Sequence, residues 1–467
     1  MTRIFTANRA WALLALLLII RLISLGLYPL MDTTEARYGE MARLMVETGN
    51  WLTPQFDYGV PFWGKPPLHT WMSASFIALF DASEFFIRLP HWLAAVILLA
   101  VIGKFAYKMQ VPALPSMLIL SAIPVFYICT GAVMTDIALA LAFTLAMTGF
   151  YLAWQGEKNY AYVGFTGLAL GLLAKGPLIL VLFGLSSGIW LLWQYGINKM
   201  WHLLWQRIPL LSGSALLLAL TLPWYLMAEQ ATPGFLHYFI IGEHWLRFTQ
   251  SGWAGDLYGT AHDQPRGMIW IFFLLTALPW SFLLPAALAK LAKHNQGKLD
   301  SLSAFLLCWL FAPLILFTFA GNILPAYVLP GIPALALLIS KAWQQGLGKW
   351  YWLTLVSPAL LIAAIIVVNK DNGAVKSERY LLSQRSQDIP SYYLEKQPFS
   401  GRFYSLGQAK KIPTLTQWQS LALPRHYLIV EHHLLGKPAL ASCKNVYQGK
   451  VRNLLLCGPK LSNESRY

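Results

Sequence analysis

The side chains of this chain that could do chemistry stand at the edges of apolar blocks rather than inside them. Asp32 and Glu35 lie in Met31-Asp-Thr-Thr-Glu-Ala-Arg-Tyr-Gly-Glu40, directly after the first block. A carboxylate there can serve as a general base, and the same spacing also fits a capping box at a helix start. Asp136, after Met134-Thr135, is an N-cap or a second carboxylate reaching the same space. Lys65 stands in Gly64-Lys-Pro-Pro67, where the two prolines stiffen its support. Such an ammonium can meet a phosphate as a point charge, or it can simply snorkel. Arg247, four residues after Glu243, offers a bidentate fork for an anionic headgroup or leaving group. Lys175 precedes Gly176-Pro177, and Tyr327 sits in Leu324-Pro-Ala-Tyr327, where its hydroxyl is a membrane-belt group or a phosphate contact. His237, His244 and His262 show no HExxH or other metal spacing and read as surface or packing residues.

The elements that must hold these groups are apolar helices. Hydrophobic residues make up 57% of the chain and charged ones 12%, a mixture from which no soluble surface can be built. The apolar runs have the length that crosses a hydrocarbon core, about 20 residues, rather than the short alternation of a porin. They fall at 10–30, 87–107, 113–129, 137–154, 160–174, 178–195, 208–227, 268–289, 302–320, 325–340 and 351–368. An all-α polytopic membrane protein is expected, with about eleven transmembrane helices and at most about thirteen. The first block follows Arg3 and Arg9 but is too long for a signal peptide and lacks a small-residue cleavage site, so it reads as a retained helix.

The formal charge of +15 sits mostly between the blocks, where it orients the chain and meets membrane lipids rather than nucleic acid. With the amino terminus in the cytoplasm, alternate short connections carry Lys104 and Lys108, Lys158, Lys199 and Arg207, then Lys290, Lys293 and Lys298, then Lys341 and Lys349. The positive-inside rule then places the long connections 31–86 and 228–267, and the tail 369–467, outside the cytoplasm. On that topology Asp32, Glu35, Arg37, Lys65, Asp136, Lys175, Glu243, Arg247, Asp263, Arg266 and Tyr327 all map to outer helix ends or outer loops. Structural polar residues would scatter; these collect.

The long connections are rich in Trp, Tyr and Phe and read as segments lying on the membrane surface. In the first, Tyr38, Met41, Leu44 and Met45 share one helical face, and Thr48-Gly49-Asn50 closes the helix. Residues 1–368 form a transmembrane domain. The tail from 369 regains charge and has strand-like runs at 426–430 and 451–456, so a small extracytoplasmic α/β domain is expected. Cys443 and Cys457, in an oxidising compartment, make a disulfide pair, whereas Cys129 and Cys308 lie in apolar blocks as packing residues.

These residues resemble the membrane glycosyltransferases of the protein mannosyltransferase and lipid A aminoarabinose transferase type. The resemblance rests on Asp32 with Glu35-Ala-Arg-Tyr38, Gly49-Asn-Trp-Leu-Thr-Pro54, Lys65-Pro-Pro-Leu68, Leu173-Ala-Lys-Gly-Pro177 and Leu324-Pro-Ala-Tyr-Val-Leu-Pro330, in the family's order. It implies a GT-C type fold, an outward (periplasmic) active site in a bacterial inner membrane, and a polyprenyl-phosphate sugar donor. It further implies inverting transfer to a lipid or glycan acceptor rather than to protein, as in transfer of 4-amino-4-deoxy-L-arabinose to lipid A. Carried over, Asp32 is similar to the family's catalytic carboxylate and Asp136 to its partner. Lys65, Arg247 and Tyr327 match its donor-phosphate contacts, and Glu35, Arg37, Lys175 and Glu243 accompany them as substrate-binding residues. The aminoarabinose branch holds a divalent metal on a Glu before Lys-Pro-Pro and a His before the second-loop Glu; here those positions are Gly64 and Gly242, and no other cofactor is implied. A transporter or flippase, or a non-catalytic lipid-binding protein, is the competing class. It would keep charges near mid-membrane or show an inverted repeat, and neither is evident.

Overall fold

Each apolar block is helical in the computed structural model, which describes residues 2–259, 262–344, 348–371 and 373–458. The side chains of Arg3 and Lys349, and residues 459–467 of the tail, lie outside the described residues. Among the described residues seven helices are long and apolar enough to cross a membrane, or eight when one bent pair counts as a single span. That is fewer than the eleven blocks, and backbone chemistry shows why. The block at 113–129 is divided into Ala113–Ala122 and Pro124–Cys129, because Pro124 has no N–H to give and holds Ile123 extended. Met268–Thr276 and Trp280–His294 meet at 94° across Leu278-Pro279. Tyr160–Lys175 has 16 residues, roughly 24 Å of helix.

Thr135–Trp154 and Tyr160–Lys175 form a tight antiparallel pair. A Cβ on Gly149 would lie 2.5 Å from the Gly164 nitrogen, and one on Gly167 would lie 2.5 Å from the Ala146 nitrogen, so glycine is what lets the two backbones touch. The short turn between them aligns the start of the first helix with the end of the second, which sets Asp136 beside Lys175. The basic connections gather at the far end of the same helices. There Lys108 pairs with Glu157 at 2.7 Å, Arg207 donates to the Trp154 carbonyl at 2.7 Å, and Lys341 pairs with Asp300 at 2.5 Å.

The first long connection holds helix Thr34–Thr48, ended by Gly49 in the left-handed region (φ 67°), then a hairpin of β1 (Gln55–Asp57) and β2 (Val60–Pro61), then helix Leu68–Leu79. Tyr38, Met41, Leu44 and Met45 are buried, as their spacing predicts. Most of the helix is covered by protein. Leu68–Leu79 packs on one side of it and the C-terminal helix Phe399–Tyr404 on the other, with Leu30, Met41, Met45 and Phe403 in one apolar cluster.

The tail carries a five-stranded sheet of β3 (Ser391–Leu394), β4 (Lys410–Ile412), β5 (His426–Glu431), β6 (Lys444–Gln448) and β7 (Arg452–Cys457), in the order β4-β3-β5-β7-β6. The strand-like runs at 426–430 and 451–456 are the central strands β5 and β7, antiparallel with Ile429 opposite Leu454. Apolar clusters cover both faces of the sheet. A disulfide joins Cys443, just before β6, to Cys457 at the end of β7.

Candidate active site

A cavity of about 270 Å³ opens at the end of the bundle away from the basic connections, and Arg37, Lys65, Asp136, Lys175, Glu243, Arg247 and Tyr327 all line it. Residues separated by up to 290 positions in sequence thus share one space, because the helix ends and both long connections converge there. Lys175 Nζ is 2.7 Å from Asp136 Oδ1 and 4.3 Å from the centre of the Tyr327 ring. Asp136 Oδ2 carries no hydrogen bond among the described residues, so the carboxylate keeps one oxygen for a substrate. Lys65 leaves the rigid Pro66-Pro67 segment, rests on the Gly64 carbonyl and reaches Glu243 Oε2 at 2.8 Å.

The second long connection supplies the other half. Tyr238–Leu246 is wound as a π-helix, a wide turn that often marks function. It leads directly into Arg247, whose Nη1 lies 2.9 Å from Glu243 Oε1 and 3.3 Å from Asp256. Glu243 therefore holds two cations at once. Burial alone would raise its pKa, but Lys65 and Arg247 outweigh burial and keep it below the usual carboxylate range. The His244 ring nitrogens sit 2.7 Å from the Phe239 carbonyl and 3.1 Å from the Lys175 carbonyl, bracing this turn against the bundle. His262 lines the cavity; burial first, then Arg247 and Arg37, lower its pKa and favour the neutral ring. His237, Asp263 and Arg266 are exposed and do not line the cavity.

Two sequence candidates stand elsewhere. Thr33 and Thr34 line the cavity, but Asp32 does not. Its carboxylate accepts from the backbone N of Ser400 at 3.1 Å and from the Ser400 hydroxyl, and burial pushes its pKa up. A reacting carboxylate at Asp32 is not what this geometry offers: the turn before Thr34–Thr48 aims the threonines inward and Asp32 at the C-terminal unit. Nor does it cap the helix, since Thr33 is the N-cap and makes no side-chain cap. The Glu35 carboxylate is likewise held by protein donors and does not line the cavity. Both its oxygens take 2.8 Å bonds from Arg88, and Val133 N donates to it as well. Arg88 is fully buried and spends its remaining donors on the carbonyls of Leu25, Tyr28 and Pro29, so the pair fastens the first connection to the bundle. Burial would raise Glu35, and Arg88 overcomes it to hold the carboxyl low.

Asp256, Tyr258, Phe62 and Phe399 belong to the cavity without having been singled out in sequence. Asp256, acidic within an aromatic and glycine-rich outer loop, carried a signal, and so did Arg88, a charge inside an apolar block. Phe399 carried none, since nothing local says that the tail returns over the first connection. For a metal, the residues present do not fit the positions that the resemblance implies. Glycine offers no donor, and a Cβ at Gly64 or Gly242 would already press on Phe62 (2.8 Å) or Trp253 (2.9 Å). Among the described residues no group of three His, Cys, Asp or Glu is placed to hold an ion. The chemistry below is therefore derived from side chains alone.

The family model for dolichyl-phosphate-mannose-protein mannosyltransferase matches residues 9–239. The chain is 32% identical over 333 residues to the undecaprenyl phosphate-alpha-4-amino-4-deoxy-L-arabinose arabinosyl transferase of Shewanella sediminis, covering 68% of this chain and 57% of that protein. The enzyme of the same description from Enterobacter sp. is 28% identical over 374 residues, covering 77% and 65%. The chain thus spans less than two thirds of these relatives' length. Among solved structures, ArnT from Cupriavidus metallidurans bound to undecaprenyl phosphate superposes with a TM-score of 0.78 at 18% identity, over 96% of this chain and 98% of that one. Its apo form gives 0.74. The fold is shared over 96% of the chain.

Proposed function

Since the chain belongs to the family of membrane glycosyltransferases that holds the protein mannosyltransferases and the aminoarabinose transferases, we propose that it transfers a glycosyl group from a polyprenyl-phosphate sugar to a lipid or glycan acceptor. The observation that carries this reading is the single cavity in which four cations, Arg37, Lys65, Lys175 and Arg247, face three carboxylates, Asp136, Glu243 and Asp256. Breaking a glycosyl phosphate builds charge on the leaving phosphate and a cationic, oxocarbenium-like sugar. Fixed cations beside the phosphate then stabilise the transition state more than the ground state. Lys65, Arg247 and Tyr327 take the phosphate. Asp136, with Oδ2 free, takes the acceptor's proton or, if the acceptor is already an anion, orients the sugar. Attack from the side opposite the phosphate inverts the anomeric carbon. Asp32 acts at one remove, by fixing the Thr33-Thr34 wall through its bond to Ser400.

The relatives' names support undecaprenyl phosphate as carrier and 4-amino-4-deoxy-L-arabinose as sugar, and the sequence resemblance adds lipid A as acceptor. The basic connections support an orientation with the amino terminus in the cytoplasm of a bacterial inner membrane, the cavity and the 369–467 domain in the periplasm, and 1–368 as the catalytic membrane domain. The test is to incubate purified protein in lipid with hexose, pentose and amino-sugar polyprenyl phosphates and a membrane lipid extract, following free carrier phosphate by mass spectrometry. Release that Lys65→Ala and Asp136→Asn abolish is the expected result. No release across the panel would overturn the reading in favour of a non-catalytic lipid-binding protein.

A further inference from the structure

The four cations of the cavity are not equivalent. Lys65 is paired with Glu243, Lys175 with Asp136, and Arg247 with both Glu243 and Asp256. Arg37 has no carboxylate among the described residues. Its Nη1 donates to the Tyr258 carbonyl at 2.7 Å, its Nε is buried without any partner, and Nη2 makes no hydrogen bond. The rings of Tyr38 and Phe62, 5.2 and 5.9 Å from the guanidinium carbon, are its remaining support. A half-buried guanidinium with one nitrogen sealed from solvent and no counter-charge is stabilised when an anion arrives. The count agrees: four cations against three carboxylates, with His262 neutral, leave one positive charge over.

Position says which anion. Lys65, Lys175, Glu243, Arg247 and Tyr327 also line a smaller extension of about 80 Å³ whose walls include Leu178 and Phe317 from the bundle and Phe248 from the second connection. On the transferase reading those cations serve the donor, whose polyprenyl chain enters on that side. Arg37 is not part of the extension. It lines the main cavity with Thr33, Thr34 and Phe399, the last from the C-terminal unit.

We propose that Arg37 receives an anionic group, phosphate or carboxylate, of the sugar acceptor, and so selects acceptors that carry one. The proposal rests on the transferase reading for which substrate each part of the cavity receives, but it can be tested by binding alone. Full-length protein in lipid nanodiscs is first saturated with undecaprenyl phosphate. It is then titrated by native mass spectrometry with lipid A bearing its phosphates, with the same lipid after phosphatase, and with a carboxylate-bearing glycolipid. Arg37→Gln should weaken an anionic acceptor lipid by about tenfold or more, the usual cost of a lost charged hydrogen bond, and leave the dephosphorylated lipid unchanged. Arg37→Lys should restore part of the loss, which separates an anion contact from a folding defect. A loss confined to lipid A names phosphate, and one confined to the glycolipid names carboxylate. Equal binding of every lipid by wild type and Arg37→Gln overturns the proposal, as does a loss of undecaprenyl phosphate itself in Arg37→Gln to the extent seen in Lys65→Ala. Absence of sugar transfer by the wild type, with these binding differences intact, would instead count against the transferase reading.

Discussion

Glu243 occupies the two cations that we propose for the leaving phosphate, and Glu243→Gln measures what that occupancy does. Its carboxylate is 2.8 Å from Lys65 Nζ and 2.9 Å from Arg247 Nη1, with the side chain only 3% exposed. It also stays ionised through the assay range, because Lys65 and Arg247 hold its pKa low. A phosphate gripping the same cations comes within about 5 Å of it, where two unit charges at an effective dielectric near 20 repel by roughly 3 kcal/mol. Relaxation of the lysine and the partial −1 character of each phosphate oxygen reduce this to about 1–2 kcal/mol, or about 5- to 30-fold in Kd. Glu243→Gln keeps the shape and removes the charge. It should bind undecaprenyl phosphate that much more tightly, lower the donor KM, and lower kcat because the carrier phosphate now leaves slowly. Titration calorimetry in detergent gives the affinity, and quenched pre-steady-state formation of carrier phosphate, bound plus free, shows whether a burst precedes the slow step. Affinity that is unchanged or weaker would refute the reasoning, since Glu243 would then be organising the cations rather than competing for them.

Lys65→Ala should lose about 10²- to 10³-fold in transfer, the size of one charge-stabilising group in a transition state, with normal membrane insertion; wild-type turnover would remove Lys65 from the site. Arg88→Met leaves Glu35 with only the Val133 amide and should cost about 3–5 kcal/mol, seen as a lower Tm in detergent, with Glu35→Met/Arg88→Met recovering much of it. The pKa of Asp32 is raised by burial, so its folded form favours the proton. The stability it contributes is whole at acid pH and fades as pH rises through the raised value. Asp32→Asn should therefore gain in Tm relative to wild type between pH 4.5 and pH 8, and a pH-independent difference would show that Asp32 is not desolvated. Reduction should shift the mass of a tail peptide spanning Cys443 and Cys457, and the double Ser variant should unfold earlier by an amount near 3 kcal/mol, as for a loop of this 14-residue separation.

Helix positions were legible because hydrocarbon demands long apolar runs, and the strands β5 and β7 because buried strands are short apolar runs between turns. What broke the spans was less visible. Ile123-Pro124 and Leu278-Pro279 interrupt backbone ladders inside runs whose hydropathy does not change. What covers Thr34–Thr48 was hidden for a different reason. Its second cover, Phe399–Tyr404, comes from more than 350 residues away, and amphipathicity reports that a face is buried without saying by what.

The site divides along the same line. Residues fixed by a helix end or a rigid segment, namely Lys65 after its glycine, Asp136 and Lys175 at matching ends of a glycine-packed pair, and Tyr327 at the start of Pro325–Gly331, are where topology put them. The residues of the turn at 31–35 are different, because one step of backbone rotation there decides which side chain faces the cavity. Three consecutive polar residues, Asp32, Thr33 and Thr34, offered themselves, and charge made Asp32 the natural choice. The deciding fact is Ser400, whose amide and hydroxyl claim the carboxylate from the C-terminal unit. Glu35 was claimed in the same way by Arg88 from within an apolar block. A carboxylate is available for chemistry only when no nearer donor has taken it. By that criterion Asp136, with one oxygen on Lys175 and the other unbonded among the described residues, is the acid we propose for this cavity, and Arg37, with no acid among those residues, is its open cation.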